Sequence, residues 1–305
     1  MKVRGNTVKT NLTDEELRSL STRSDLKAAW MFFCNYAIVI ASFIIVFFWT
    51  NPITIILAIF LLGARQLGFG VLVHECGHGT LFKSKGLNQL MGDWFAAPAV
   101  FSNMGAYSHV HRRHHRLAGS ENDPDLPNYK DYPISRSRLQ RKIVRDLSGK
   151  TGWRQISGIA NSITNFHNLR IDQQKALARG LIFNITLLGL TATVGATWLF
   201  ILWVIAFIFV NPLISRIRQI GEHAAVPDLY NLDPRLHTRS IIASWGERLF
   251  ICPMGVNYHL EHHLLASIPV YNLPKMHDLL KNNDFYSNTH ITQGYRELYG
   301  QVTTR

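Results

Sequence analysis

The chain has 305 residues, 47% hydrophobic but only 17% charged, against about 25% charged in a typical soluble domain, which argues against a soluble enzyme and excludes intrinsic disorder. Its three cysteines, Cys34, Cys76 and Cys252, never approach a Cys-x-x-Cys spacing, which excludes a disulfide scaffold. The net charge of +12 comes from basic residues that flank apolar runs while the aromatics sit inside those runs, a pattern that fits a membrane surface and not nucleic acid.

The first 27 residues are polar. Thr13 to Glu16 has the form of a capping box, with Leu12 and Leu17 as the flanking hydrophobic pair, and predicts a short surface helix. Ala28 to Trp49 then runs 22 residues without a formal charge, enough for a helix to cross a hydrocarbon core of roughly 30 Å. It is too long for a secretory leader, and no small-x-small cleavage site follows it. After Thr50-Asn51-Pro52 a second span, about 53–73, leads directly into His74. Arg65 and Gln66 interrupt it; they are candidates to line a substrate channel, with a partner inside the helical bundle as the structural alternative.

Gly180 to Ser215 holds 36 residues, about 54 Å of helix at 1.5 Å per residue, so it reads as a hairpin broken at Gly195-Ala196-Thr197, with spans about 180–194 and 197–214. Residues 87–104 and 245–256 are apolar but contain Gly, Pro and charges, and read as interfacial. Six basic residues precede the first span, 16 lie between His74 and Arg179, nine follow Ser215, and neither hairpin turn has any. Positive charge therefore faces one side, which the positive-inside rule makes cytoplasmic, with both termini there. The expected fold is an all-α integral membrane protein: four transmembrane helices in two hairpins and a helical cytoplasmic cap carrying a metal site. The chain divides into a cytoplasmic segment 1–27, a membrane domain 28–278 and a tail 279–305.

Eight of the 14 histidines fall in three clusters: His74-Glu75-Cys76-Gly77-His78, His111-Arg112-Arg113-His114-His115 and His259-Leu260-Glu261-His262-His263. Positions i, i+3 and i+4 share a helix face, so each cluster can aim its imidazoles at one point, and neutral imidazole is a good ligand for iron, zinc, copper and nickel. One ion takes four to six donors, so His74, His78, His111, His114, His115, His259, His262 and His263 together imply two ions. Metal-bound imidazoles usually donate their second nitrogen to a carboxylate or carbonyl, and Glu75, Asp123, Asp125, Glu222 and Glu261 are the local candidates, solvated or capping roles being the alternative for each.

HECGH, HRRHH and NYHLEHH, in this order around two apolar hairpins, resemble the three histidine boxes of the membrane fatty acid desaturase and hydroxylase family, over about residues 29–278. HRRHHRLAGSENDPD and NYHLEHHLLASIPVYNLP are especially similar to bacterial acyl-chain desaturases. The resemblance implies a ninth ligand on the cytoplasmic extension of the fourth span, where RQIGEH places His223, and a nearby contact for Gln219 one turn before it. It also implies two iron ions, dioxygen as cosubstrate and a double bond introduced into a lipid-linked chain, with no catalytic side chain beyond the metal ligands. His109, His167, His237, His277 and His290 match no box and read as ordinary polar residues, His109, two residues from His111, being the candidate exception.

An unactivated C–H bond offers no acid and no leaving group, so redox metal chemistry fits the substrate class and acid-base chemistry does not. Reducing dioxygen to water in each turnover needs two external electrons, and the chain shows no dinucleotide fingerprint, cysteine cluster motif or haem segment. A separate ferredoxin, rubredoxin or cytochrome b5-like donor is therefore expected, docking near Arg112, Arg113, Arg116 or residues 136–154, where lipid head groups are the other candidate. Location in a bacterial inner membrane follows from the resemblance. Three competing readings stand beside it: hydroxylation or ketolation on the same scaffold, a zinc peptidase using His74-Glu75-x-x-His78 with Glu75 as general base, and a metal carrier.

Overall fold

A computed structural model describes residues 11–287, 289 and 291–304, and is helical almost throughout. His290, and the basic residues Lys2, Arg4, Lys9 and Arg305 counted above, lie outside the described residues. Among the described residues, four helices are long and apolar enough to cross a membrane: Asp25–Phe48, Pro52–His78, Ile171–Thr193 and Trp198–His223. The second begins at an Asn51 cap whose side chain accepts from the backbone of Ile53 and Thr54, with Pro52 in the first turn, where its missing N–H costs nothing.

The third helix starts at Ile171, nine residues before the apolar block. Its first two and a half turns carry Asp172, Gln173, Gln174, Lys175 and Arg179, and the Gln173 side chain accepts from the Arg170 backbone N–H. Hydropathy locates the apolar part of such a helix and not its capped polar end. The fourth runs on to His223 for the same reason, and contains a π-helical turn at Ala206–Val210.

The chain forms two compact units interleaved in sequence. The first comprises residues 26–107 and 141–215 and contains most of the apolar helices. Its interior polar groups are spent between helices: the Gln66 side-chain amide donates to the Trp203 carbonyl at 2.9 Å, and the Asn35 amide to the Arg65 carbonyl at 3.2 Å. Trp203 in turn donates to Asn184 at 3.1 Å. Arg65 and Gln66 are both buried, and neither lines the two apolar cavities described below. Ala64, Leu67, Val210 and Ile214 form an apolar cluster beside them.

The second unit comprises the N-terminal segment to residue 25, residues 108–140 and residues 216–305. The expected capping box is present, Thr13 and Glu16 bonding each other's backbone, and starts the helix Asp14–Ser21. Asn272 donates to the Leu20 carbonyl at 2.8 Å, and the Ser24 N–H donates to Tyr271 at 2.7 Å, so this helix is tied down and is not a free surface element. A two-residue parallel pairing, Ile134–Ser135 with Thr303–Thr304, fastens the C-terminal end into the same unit.

Candidate metal centre

Four histidines of the second unit meet at one point. His114 comes from the helix Met104–Leu117, His223 from the end of the fourth long helix, and His259 and His263 from the one-and-a-half-turn helix His259–Leu264. One ligand atom from each lies within 4.8 Å of all the others, and all four side chains are buried. The Nε2 atoms of His114 and His263 are 3.3 Å apart, and those of His259 and His223 are 3.0 Å apart.

The outer nitrogens settle the tautomers. His114 Nδ1–H donates to Asp123 at 2.7 Å, His223 Nδ1–H donates to the His237 carbonyl at 2.9 Å, and His259 Nδ1 lies 3.3 Å from Glu222. With the proton held on Nδ1, the Nε2 atoms of His114, His223 and His259 present lone pairs inward. Facing lone pairs repel, and a cation at their centre is the group that relieves them. Burial, and then the neighbouring imidazoles, hold His259 and His263 well below the ordinary imidazole range, so both stay neutral and ligand-competent at pH 7. A transition-metal ion fits this donor set by charge, burial and nitrogen content.

A second group lies in the same unit. His115 Nε2 is 2.8 Å from His111 Nε2 and 2.9 Å from His262 Nε2. His74 and His78 belong to the other unit, one helical turn apart with ring centroids 4.7 Å from each other. There, Glu75 lies 2.9 Å from His74 Nδ1 and also accepts from Thr80. That carboxylate orients an imidazole, whereas a peptidase would aim it at a metal-bound water.

The remaining carboxylates divide. Burial pushes the Asp123 carboxyl up, but bonds from His114, Tyr129 and the Asp125 N–H outweigh it and leave it below the usual range. Burial pushes Asp125 up, and that residue stands 3.7 Å from His114 Nδ1. Glu222 pairs with Arg218 at 2.5 Å as well as facing His259. Glu261 is fully buried, and it accepts from Ser240 and Tyr286 and pairs with His277 at 2.7 Å. Gln219 is half-buried on the fourth helix.

Sequence reasoning passed over His237, Tyr129 and His277. His237 is fully buried and supplies the carbonyl that orients His223, while Tyr129 bonds Asp123 and stacks on His223 with ring centroids 4.8 Å apart. None of the three carried a spacing signal, since each reaches the site through a loop or a tertiary contact. The Arg218–Glu222 pair, at i and i+4, was within reach of sequence reasoning. His109 and His167 are exposed, as expected.

Gly119 shows how tightly the loops close around these histidines. Its φ is +85°, and a Cβ there would lie 2.1 Å from the Asn231 carbonyl oxygen and 2.8 Å from His237 Nδ1. Only glycine fits.

Helices long and apolar enough to cross a membrane occur here together with buried, converging imidazoles that could hold a metal ion. A family model of the fatty acid desaturases matches residues 48–295, and the chain belongs to that family. It is an oxidoreductase. Among curated proteins it is 25% identical to a dihydrorhizobitoxine desaturase of Bradyrhizobium elkanii, over 85% of this chain and 77% of that one. It is 24% identical to an sn-1 oleoyl-lipid 12-desaturase of Picosynechococcus, over 73% and 68%. It is also 23% identical to a beta-carotene ketolase of Paracoccus, over 68% and 73%.

Proposed function

We propose that the protein is a diiron acyl-lipid desaturase, using dioxygen and external electrons to introduce a carbon-carbon double bond. The observation that carries this reading is the buried cluster of His114, His223, His259 and His263, in which the outer partners of His114 and His223 hold their protons on Nδ1 and turn Nε2 inward as a lone pair. These four hold one ion, and the resemblance of the histidine boxes assigns His74, His78, His111, His115 and His262 to a second. Two irons, when bound, supply the dioxygen activation that an unactivated C–H bond requires.

The chain's own residues prepare that chemistry. Asp123, Glu222 and the His237 carbonyl fix ring orientation and keep Nδ1 protonated, while Glu75 does the same for His74. Tyr129 and Arg218 hold Asp123 and Glu222 in place. Burial excludes water from the inner nitrogens. The four apolar helices pair as two hairpins, and the histidine-bearing segments form a helical cytoplasmic cap. The excess of Lys and Arg outside the spans supports a cytoplasmic side for both termini, and the bacterial sources of the first two relatives support a bacterial inner membrane. Arg112, Arg113 and Arg116 are exposed on the helix whose other face carries His111, His114 and His115. They receive an acidic ferredoxin, rubredoxin or cytochrome b5-like electron donor.

The similarity to a ketolase favours one alternative, insertion of oxygen into a hydrophobic substrate on the same scaffold. Expression in a host without the activity, followed by mass spectrometry of its lipids, separates the two. Species lacking two hydrogens support desaturation, species with one added oxygen support the alternative, and an unchanged lipid profile contradicts both.

A further inference from the structure

The helices Asp25–Phe48 and Ile171–Thr193 leave an apolar groove between them. It consists of two cavities, of about 400 and 350 Å³, that share Ile40, Phe43, Leu187 and Leu190. One extends to Phe48 and Val194, and the other to Tyr36, Trp94 and Arg179. From Arg179 to Val194 the helix rises about 22 Å at 1.5 Å per residue. One leaflet of a roughly 30 Å hydrocarbon core is about 15 Å deep, so the groove is long enough to take one lipid chain.

Charge is confined to one end. Arg179 pairs with Asp93 at 3.0 Å and lies 4.9 Å over the Trp94 ring, and the Gln89 amide donates to the same carboxylate at 2.6 Å. The two charged side chains are still 21% and 18% exposed, so the pair is open at the mouth. Asp93 and Trp94 sit on a π-helical turn, Gly92–Ala96, a form of helix frequent at functional sites. Close packing holds that turn down: a Cβ on Gly92 would lie 2.2 Å from Met104 Sδ and 2.8 Å from Cys76 Cβ.

We propose that this groove binds a phosphate-headed glycerolipid, with one chain along Phe43 and Leu187 and the phosphate on Arg179. Among the described residues Arg179 is the only formal charge lining either cavity, and a guanidinium offers a planar fork of donors that a phosphate matches and a sugar does not. Trp94 and Tyr36 are residue types enriched at head-group depth. The inference rests on the groove and its mouth, not on the chemistry at the histidines.

Native mass spectrometry of the full-length protein, titrated in detergent with lipids of identical chains, tests it. Phosphatidylglycerol and phosphatidylethanolamine are each expected to be held about tenfold more tightly than monogalactosyl diacylglycerol, a difference of about 1.4 kcal/mol. A stronger hold on one of the two phospholipids names the source of the phosphate and supports the proposal. Arg179→Gln abolishes the preference, whereas Asp93→Asn releases the guanidinium and strengthens phospholipid binding several-fold. Leu187→Trp fills the groove and weakens all three lipids alike, and Lys281→Gln, at an exposed position outside the groove, changes none. Equal binding of the galactolipid overturns the proposal. So does a loss of affinity in both Arg179→Gln and Asp93→Asn, the result expected of a purely structural ion pair. If Arg179→Gln does not fold, Asp93→Asn decides alone, and the absence of a gain overturns the proposal.

Discussion

His114 Nδ1 lies 2.7 Å from an Asp123 oxygen, with both residues almost wholly buried and Tyr129 bonded to the same carboxylate. The carboxylate holds the imidazole in the tautomer that turns Nε2 inward. Asp123→Asn keeps the shape and can present an N–H to Nδ1, which favours the wrong tautomer. Metal affinity should fall about 10- to 100-fold. Metal per chain after dialysis against a graded chelator measures this, and unchanged retention would remove Asp123 from the account.

Gly119→Ala should be among the most damaging small substitutions in the chain. The left-handed backbone alone costs of order 1–3 kcal/mol, and the clash with the Asn231 carbonyl adds to it. Gly246→Ala, where a Cβ meets nothing within 4 Å, is the control. Thermal unfolding of the two variants should separate them by several degrees, and equal midpoints contradict the described loop packing.

Gln66→Leu distinguishes a packing role from a channel role. The amide bond to the Trp203 carbonyl joins two helices, and such bonds contribute about 0.6 to 1.7 kcal/mol in membranes. Stability in detergent should fall by about that amount while the spectrum of lipid products stays the same. An altered product spectrum at unchanged stability would return Gln66 to the channel.

Stability without metal should depend on pH in a definite direction. His259 and His263 have folded pKa values well below the ordinary 6.5, because burial and then neighbouring imidazoles oppose charging. Below about 6.5 the unfolded chain therefore binds more protons than the folded one, so folding stability is lost as pH falls through that point. Denaturant midpoints of chelator-treated protein should drop between about pH 7 and pH 5.5. A midpoint that rises on acidification contradicts neutral buried imidazoles.

Replacing Arg112, Arg113 and Arg116 together by Glu should slow reduction by an acidic donor at least about tenfold at low salt, with the loss shrinking as salt rises. Stopped-flow reduction at several ionic strengths reads this directly. A rate insensitive to both charge and salt places the donor elsewhere.

The apolar helices and the three histidine clusters were legible in the sequence because each is a local pattern: a charge-free run, or imidazoles at i, i+3 and i+4. The long loops that complete the site were not. His237 reaches His223 through its backbone carbonyl, which no side-chain identity announces, and Tyr129 and Asp123 meet through a loop turn. The third helix was read short because its polar first turns, Asp172 to Arg179, look like loop to a hydropathy window. Those same turns bring Arg179 to the mouth of the groove.

The most direct test of the whole account is the metal content of the purified full-length protein by elemental mass spectrometry. Two irons per chain are predicted, with His263→Ala losing iron while remaining folded. A single zinc per chain, or iron unaffected by His263→Ala, would contradict a paired iron site built from these histidines.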